Sequence, residues 1–429
     1  MGRDWKFLLL ASVCAASTWI YAARVLIPHQ IDDSALHGTP RGNLSDLYPR
    51  WLGARELLLH GRDPYSQEIT REIQLGYYGR YLDPSNPVDP IDQQGFAYPV
   101  YVVFFLAPTV HLNFIVVQRI FIWILVLATV ASAVFWLRFI RWKVSIVNEA
   151  AVVTLLLGSL PMLLAIKLQQ LTLLATAMSA GAVALLGAER PIAAGVLLAL
   201  ATMKPQLVAP LVLWLTIWSF GDLKRRYRWC ISFLLCMGVL FAASELFLPH
   251  WVQRFGEAAV AYQRYAQAIP ALEAIFSQFW GRAIGIIVVG LTLLACSGKV
   301  KAPVTSAEFR SCCCLAMCLA VLLSPKFAQY NQVLLLPAVF WIARDPVVIW
   351  NKGLVSRGLL VIGVGLLGLQ WLACTVLAGL SYTLPREIVE RAWALPIWTL
   401  PLFPLVVTAL MLASDHRPTL LTPATLGSS

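Results

Sequence analysis

The sequence predicts an all-α protein that crosses a membrane many times. Of its 429 residues, 59% are hydrophobic and only 13% are charged, whereas a soluble domain carries about 25% charged residues. Several apolar runs approach the roughly 20 residues that a helix needs to cross a bilayer. These runs are continuous and do not alternate, so they favour helices, which satisfy their backbone hydrogen bonds within one segment. The predicted fold class is therefore a polytopic helical membrane protein.

Twelve spans are predicted, with both ends of the chain on the cytoplasmic side. The first is a retained helix, because the apolar stretch from Phe7 to about Pro28 exceeds the roughly 7–15 residues of a signal-peptide core. Short basic clusters beside the spans act as orientation signals, since positive loops stay on the cytoplasmic side. In chain order the spans are 7–27, 115–138, 148–167, 171–187, 191–203, 205–220, 229–248, 279–297, 307–323, 328–343, 357–380 and 394–413.

Two arrangements of these spans fit the count. In the first, residues 97–112 cross the membrane and 191–220 form one helix, which puts the basic cluster Arg138–Lys143 outside. In the second, 97–112 stay at the outer interface or re-enter it, and the chain breaks at Lys204–Pro205, because proline removes a helix hydrogen bond and clashes with the preceding turn. The second arrangement is favoured because it places every basic cluster inside.

The most polar stretch of the chain is residues 29–96, the predicted first outer loop. It holds ten of the 22 acidic residues, six arginines and no lysine. A second outer loop is predicted over 249–278, where aromatic and charged residues could line a groove. The whole chain, 1–429, forms one domain. Within the first loop the apolar residues Leu44, Leu47, Trp51, Ala54 and Leu58 recur at helical spacing. They predict an amphipathic helix over 45–60 that lies in the membrane interface.

The rest of the first loop has its own pattern. A turn is predicted at Gly61–Pro64, where Asp63 precedes a proline and forms turns well. A weaker amphipathic helix follows over 66–81, and 83–90 form a proline-rich loop.

The net charge of +11 does not indicate nucleic-acid binding. The basic residues fall in short clusters beside apolar spans, as orientation signals do, and not on a polar surface. The nine cysteines lie in or at the edges of predicted spans, so Cys312–Cys314 and Cys318 are interpreted as core residues, because free cysteine behaves as a small hydrophobe. Neither a metal-binding motif nor a nucleotide-binding motif is present.

Two charged residues stand out as candidates for chemistry. Lys204 interrupts an apolar segment, and at a helix break on the outer face its ammonium could neutralise a lipid phosphate. Alternatively, it is a snorkelling lysine that anchors a helix end. Asp46 lies near the start of the interfacial helix, where its carboxylate could act as a general base. The alternative is a helix-start carboxylate that complements the helix dipole.

Other polar residues extend the candidate set. Lys326 lies in a short loop between two spans and is a second candidate for binding phosphate. Gln169, Gln170 and Gln329 could hydrogen-bond sugar hydroxyls or could satisfy one another between helices.

The order of five segments resembles glycosyltransferase family 87. These segments are SDLYPRWLGARELLLHGRDPY (45–65), FAYPVYVVFFLAP (96–108), the turn at Gln170, PIAAGVLLALATMKPQL (191–207) and SPKFAQYNQVLLLP (324–337). The family comprises membrane enzymes of the GT-C fold that use polyprenyl-phosphate sugars, typically mannose, as donors. A donor already in the membrane agrees with the lack of a nucleotide-binding motif.

The resemblance assigns roles to individual residues. Asp46 matches the family's catalytic aspartate in the first loop, and Gly61, Asp63, Pro64 and Tyr65 match its turn. Gln329 stands where the family usually has histidine, and Gln169 stands where it has glycine. The residues expected to bind the donor phosphate or the substrate are Lys204, Lys326, Arg50, Arg62, Gln170, Gln206, Gln329 and Tyr330.

The implied reaction is an inverting transfer at the periplasmic face of a bacterial inner membrane. Asp46 deprotonates an acceptor hydroxyl, and cations stabilise the departing polyprenyl phosphate. The resemblance implies no cofactor and calls for no metal. The expected partners are the polyprenyl-phosphate sugar, a glycolipid or glycan acceptor and the lipid bilayer, without nucleic acid.

A transporter or flippase of a lipid-linked sugar is the main alternative. Such proteins often combine two related halves with discontinuous helices. A break at Lys204 fits that pattern, but the sequence shows no related halves. A scaffold without chemistry would leave the outward-facing polar motifs unexplained.

Overall fold

The computed structural model describes residues 2–39, 45–83, 85–266 and 269–415. Throughout these ranges the secondary structure is helical, without a β-strand, as the sequence predicts. The α-helices are α1 (Gly2–Tyr21), α2 (Ile27–Leu36), α3 (Leu47–His60), α4 (Gln67–Tyr78), α5 (Val102–Leu106), α6 (Phe114–Ile140), α7 (Ile146–Leu157), α8 (Leu160–Lys167), α9 (Thr172–Gly187), α10 (Pro191–Ala201), α11 (Pro205–Phe220), α12 (Leu223–Phe247), α13 (Trp251–Tyr265), α14 (Ala271–Ser297), α15 (Ala307–Leu322), α16 (Leu336–Arg344), α17 (Pro346–Trp350), α18 (Leu354–Leu380), α19 (Arg386–Glu390) and α20 (Leu402–Asp415).

Five helical segments among the described residues are long and apolar enough to cross a membrane. They are Asp4–Leu36, which joins α1 to α2, and the helices α6, α12, α14 and α18. A sixth crossing is formed if α7 and α8, which meet at a bend of 63°, count as one span. Shorter apolar helices, α9, α10, α11 and α20, complete the bundle. The count of twelve spans and the GT-C topology remain predictions.

The break predicted at Lys204–Pro205 is present. Helix α10 ends at Ala201 and α11 begins at Pro205, where the missing amide hydrogen costs nothing because the first turn has no partner for it. Residues 97–112 form only α5 and a 3₁₀ turn over Ala107–Thr109. These two elements hold five and three residues, about 12 Å of helix, which is too short to cross a bilayer. Both observations agree with the favoured arrangement.

Several boundaries differ from the predicted spans. The first helix continues beyond Pro28, because a π-helical turn over Ala22–Leu26 leads into α2 with that proline in its first turn. The predicted span 148–167 is bent between α7 and α8, where Gly158 and Ser159 interrupt the helix. Hydropathy reports apolar length and is insensitive to such local changes in backbone direction.

The later boundaries shift as well. Helix α14 begins before residue 279 and contains Ser277 at φ +71°, outside helical geometry. The predicted span 328–343 begins as a 3₁₀ helix over Gln329–Leu335 before α16. Turns occupy 391–401, so α20 begins later than predicted.

Helix α3 is buried more completely than an interfacial helix with one apolar face. Its predicted residues Leu47, Trp51 and Ala54 are buried, but so are Arg50 and Glu56, because α4, α5 and α6 pack around it. Leu44, which belongs to the predicted apolar face, lies outside the described residues. The helix is therefore held by protein on several sides.

The turn after α3 forms as predicted. Gly61 ends the helix at φ +65°, a left-handed conformation that glycine adopts without a steric penalty. Asp63 Oδ1 then accepts a hydrogen bond of 2.9 Å from the amide of Tyr65. Ser66 caps α4 by accepting a hydrogen bond from the amide of Ile69. These local contacts fix how α4 turns back onto α3.

The four cysteines of α15 lie in the hydrophobic core, as predicted. Cys312, Cys313, Cys314 and Cys318 are fully buried and form no disulfide. Helix α15 packs against α11, α14, α16 and α20. It therefore forms the centre of this part of the bundle.

Candidate active site

Four polar segments that are distant in sequence line one cavity of about 260 Å³, here called the polar cavity. They come from the start of α3, the turn between α8 and α9, the break between α10 and α11, and the loop after α15. Helix α13 supplies part of the wall. The polar or charged lining residues are Asp46, Arg50, Tyr98, Gln170, Lys204, Gln206, Tyr262, Gln263, Ser324, Lys326, Tyr330 and Asn331.

Asp46 is the residue immediately before α3, and the turn after α8 holds its backbone. Its amide donates a hydrogen bond of 3.0 Å to the carbonyl of Leu168. Its carboxylate accepts a hydrogen bond from the side-chain amide of Gln170. The oxygen of that amide accepts a hydrogen bond of 2.6 Å from Lys204 Nζ. Gln170 therefore bridges the carboxylate and the ammonium group across the cavity.

Lys204 reaches the cavity because the helix is broken beside it. It is the last residue before α11, with non-helical φ of −120° and ψ of 77°, and only 6% of it is exposed. Its Nζ also donates a 2.8 Å hydrogen bond to Thr172 Oγ1. The same ammonium lies 5.6 Å from the ring centre of Tyr98 and 5.4 Å from that of Tyr330. This lysine is enclosed by protein and does not snorkel.

The lining has more positive than negative charge. Arg50, Lys204 and Lys326 are its cations, and Asp46 is its one acidic side chain among the described residues. None of these three cations lies within 4.0 Å of a described carboxylate. A cavity with unpaired cations attracts an anion such as a phosphate.

Arg50 and Lys326 are held against aromatic rings. The Arg50 guanidinium lies 4.6 Å from the ring centre of Tyr98, and its Nη1 donates to the backbone carbonyl of Asp46. Its buried Nε has no hydrogen-bond partner in the described chain. Lys326 Nζ lies 5.5 Å from the ring centre of Tyr262. The rings orient both cations through cation–π attraction without neutralising them.

The environment of Asp46 changes its acidity. Burial raises the pKa of its carboxyl group above the ordinary value of 3.8, because burial disfavours the charged form. The charges of Arg50, Lys204 and Lys326 lower the pKa in opposition, whereas Asp92 raises it further. A general base works best when its pKa is close to the working pH. The raised pKa of Asp46 is therefore suited to accepting a proton.

A second cavity of about 610 Å³, here called the adjoining cavity, meets the first at Asp46. The two share Asp46, Tyr262, Lys326, Ala328 and Tyr330. The other polar or aromatic residues that line the adjoining cavity come from the first outer loop (29–96), the loop after α15 and the turn after α19. They include His29, Tyr77, Asp92, Gln329 and Trp393. The carboxylate of Asp46 thus lies where two molecules could meet.

Most of the predicted site residues meet at this place. Asp46, Arg50, Gln170, Lys204, Gln206, Lys326 and Tyr330 line the polar cavity. Gln329 lines only the adjoining cavity and not the polar cavity.

Arg62 lines neither cavity, in contrast to its predicted role at the donor phosphate. Its guanidinium pairs with Glu56 at 2.8 Å, Glu68 at 3.0 Å and Glu72 at 2.5 Å. Three carboxylates on α3 and α4 thus hold its charge where the chain turns. Arg62 joins the two helices of the first outer segment.

Sequence reasoning missed the aromatic and hydroxyl partners of the cations. Tyr98, Tyr262 and Thr172 carry no charge and sit in segments rich in similar residues, so their sequence gives no individual signal. The one indication was the aromatic character of 249–278, which predicted a groove-lining segment; Phe255 and Tyr262 of α13 do line the polar cavity.

The sequence did not predict an ion pair between the first outer loop (29–96) and the second outer loop (249–278). Arg254 on α13 pairs with Asp63 in the turn after α3. The predicted turn-forming role of Asp63 is confirmed, and the same carboxylate also ties α13 to the first outer segment. This pair positions the helix that walls the polar cavity.

The family comparison agrees with these features. The model of glycosyltransferase family 87 matches residues 96–325, which is more than half of the chain. The match includes Tyr98, Gln170, Lys204 and Tyr262, whereas Asp46 reaches the site from outside the matched range. No curated protein and no solved structure gives a significant match to this chain. The chain therefore belongs to glycosyltransferase family 87.

Proposed function

We propose that the protein transfers a sugar from a polyprenyl-phosphate donor to a hydroxyl group of an acceptor, with inversion at the anomeric carbon. The observation that supports this function best is that Asp46, the one carboxylate of the described residues in the polar cavity, faces the unpaired cations Arg50, Lys204 and Lys326. A phosphate-linked sugar needs cations for its phosphate and a base for the incoming hydroxyl.

The reaction is written as one displacement. The acceptor oxygen attacks the anomeric carbon from the face opposite the phosphate, and its proton passes to Asp46. The bond between that carbon and the phosphate oxygen breaks, and polyprenyl phosphate leaves with the bonding electron pair. Lys204, Lys326 and Arg50 stabilise the negative charge that develops on the leaving phosphate. Polyprenyl phosphate then departs, and Asp46 releases its proton to solvent.

The two cavities suggest how donor and acceptor are separated. The donor phosphate fits the polar cavity, whose cations and hydrogen-bonding groups, such as Gln206 and Asn331, suit a phosphate and a hexose. The acceptor enters through the larger adjoining cavity, from which its hydroxyl reaches Asp46. Mannose is proposed as the sugar on the family resemblance. A glycolipid or a glycan is proposed as the acceptor.

The periplasmic face of a bacterial inner membrane is the proposed location of this site. The basic ends of the helices support it, because Arg138, Arg226 and Arg344 lie at ends remote from Lys204 along the same bundle. Positive residues are retained on the cytoplasmic side, so the opposite ends face outward.

The direct test uses the purified full chain with a polyprenyl-phosphate mannose donor in lipid nanodiscs, with a panel of glycolipid and glycan acceptors. We expect release of polyprenyl phosphate together with a mannosylated acceptor. Asp46→Asn should lower this turnover by about 10²–10⁴. The matched control is Asp83→Asn, an exposed acid in neither cavity, which should remain active. Full activity of Asp46→Asn would remove Asp46 as the base.

A flippase of the same lipid is the competing function, since the bend between α7 and α8 and the break before α11 resemble the discontinuous helices of transporters. Proteoliposomes with donor in one leaflet distinguish the two. Movement of intact donor between leaflets, without cleavage by any acceptor, would favour the flippase.

A further inference from the structure

A basic cavity of about 470 Å³ lies at the other end of the bundle from Asp46. Helix α9 begins at Thr172, which contacts Lys204, and ends at Gly187, which lines this basic cavity. A helix of its 16 residues is about 24 Å long, close to the thickness of a bilayer's hydrocarbon core. The basic cavity, here called the arginine cavity, is therefore separate from the transferase site.

Three arginines, Arg138, Arg141 and Arg310, provide the charge of this cavity. No acidic side chain of the described chain lines it. Arg138 and Arg141 form no ion pair with any described residue, and both are exposed at the rim. The remaining lining is mainly apolar and includes Phe135, Phe139, Leu185, Leu197 and Val304.

Arg310 is the most unusual of the three. Only 8% of it is exposed, and its buried Nε has no hydrogen-bond partner in the described chain. Its Nη1 donates a 2.8 Å hydrogen bond to the carbonyl of Thr305. The like-charged Arg138 and Arg141 line the same cavity. A buried guanidinium among like charges is costly unless an anion compensates it.

Arg141 occupies a backbone position that favours glycine. It ends α6 in the left-handed conformation, with φ of +59° and ψ of 34°. Glycine adopts this helix-ending conformation at lower cost than residues with a Cβ. An arginine at this position places a guanidinium at the rim of the cavity at some cost in backbone energy.

We propose that the arginine cavity binds the phosphate group of an anionic ligand, on the opposite side of the membrane from Asp46. Guanidinium groups bind phosphate oxygens through paired, charge-assisted hydrogen bonds, and three such groups line this cavity. A phospholipid headgroup and a soluble phosphate share this chemistry. The apolar lining beside the arginines is compatible with the glycerol and first acyl carbons of a lipid. This inference does not depend on the proposed transferase activity.

The experiment measures binding to the purified full chain in neutral detergent. Native mass spectrometry compares the retention of phosphatidylglycerol with that of zwitterionic phosphatidylcholine. In a separate arm, the thermal unfolding midpoint is followed with pyrophosphate against sodium chloride of equal ionic strength. Preferential retention of phosphatidylglycerol identifies a lipid phosphate, whereas stabilisation by pyrophosphate alone identifies a soluble one. If neither ligand binds, the proposal is overturned.

Three variants locate the site. Arg310→Gln and Arg141→Gly should each weaken anion binding about tenfold, since each removes charge-assisted hydrogen bonds. Lys143→Gln removes an exposed positive charge from the same loop without altering the cavity lining, and should bind as the unaltered protein does.

The glycine variant separates binding from folding. Arg141→Gly relieves the left-handed backbone, so its own unfolding midpoint without ligand should be unchanged or higher even where Arg310→Gln folds poorly. Equal loss of binding in Lys143→Gln would show only a general attraction to surface charge and would refute the site.

Discussion

Lys204 donates a hydrogen bond of 2.6 Å to the side-chain oxygen of Gln170. The amide nitrogen of the same glutamine faces Asp46, so one neutral side chain contacts both the cation and the carboxylate. The two charges are thereby held in one cavity without a direct ion pair, which would neutralise them. In the proposed mechanism, this arrangement keeps the base and the phosphate-binding cation available at the same time.

Replacing the bridge should impair catalysis more than folding. Gln170→Ala leaves Lys204 with Thr172 as its hydrogen-bond partner and frees the carboxylate to move. We expect kcat/KM to fall about tenfold to a hundredfold, since a buried hydrogen bond to a charged group contributes about 1.5–3 kcal/mol. Steady-state kinetics would test this, with Gln253→Ala, an exposed glutamine that lines neither cavity, as the control. Equal losses in the two variants would contradict a specific bridging role.

Replacing Asp46, the proposed base, should lower turnover strongly without destabilising the protein. The raised pKa of Asp46 means that the folded state binds its proton more tightly than the unfolded state does. The free energy of unfolding therefore falls as the pH rises through the pKa that Asp46 has in the folded protein, because the ionised carboxylate is buried. Asn carries no charge to bury, so Asp46→Asn should unfold at the same temperature or higher while kcat falls by about 10²–10⁴. A marked drop in the unfolding temperature would indicate a structural role instead.

The pH dependence of activity should reflect the ionisation of Asp46 and the nearby charges that shift its pKa. The proposed mechanism requires the ionised carboxylate, so kcat/KM should fall as the pH drops through its pKa, which lies above 3.8. Lys326→Gln removes a charge that lowers this pKa, and the acidic limb should therefore move to higher pH. The control is Arg62→Gln, whose charge lies with three glutamates outside the cavity. If the acidic limb lies at the same pH in the unaltered protein, Lys326→Gln and Arg62→Gln, the pH profile does not report the ionisation of Asp46.

The packing of α3 should be sensitive to one added methyl group. A Cβ at Gly53 would lie 2.9 Å from Cε2 of Phe96 and 3.2 Å from Cβ of Pro64. Gly53→Ala should destabilise the protein by about 1–3 kcal/mol, as overpacking of a close-packed core does. Thermal unfolding measures the loss of stability. The double variant Gly53→Ala/Phe96→Leu, in which a smaller side chain replaces the Phe96 ring, should recover part of that stability. A further loss in the double variant would argue against this clash.

The fold and the site were predictable to different degrees. Apolar length is a direct physical requirement of the bilayer, so helices such as α6 and α18 were located closely. The break at Lys204–Pro205 was predictable because proline has one dominant effect on a helix. The bend between α7 and α8 was not, since it depends on how Gly158 packs, and a Cβ there would overlap Ala15 of α1.

The role of Arg62 shows the limit of composition as a guide. Arg62 was expected among the residues that bind the donor phosphate or the substrate, but its guanidinium forms ion pairs with three glutamates on two helices. Their convergence follows from the angle between α3 and α4, a tertiary property. Tyr98 was missed for the related reason that cation–π partners are set by packing and not by sequence spacing.

The interruption before α11 has a further consequence for how this membrane protein can evolve. A lysine at the tip of a mobile loop would be replaceable by a lysine several positions away, because its long side chain could reach the same point. Here the ammonium is fixed by the missing turn of the helix, and Pro205 preserves that gap. Relatives that keep the proline but change the neighbouring apolar residues would retain the charge at its depth. Relatives in which α10 and α11 form one continuous helix would lose the charge at this depth, even if every lysine were kept.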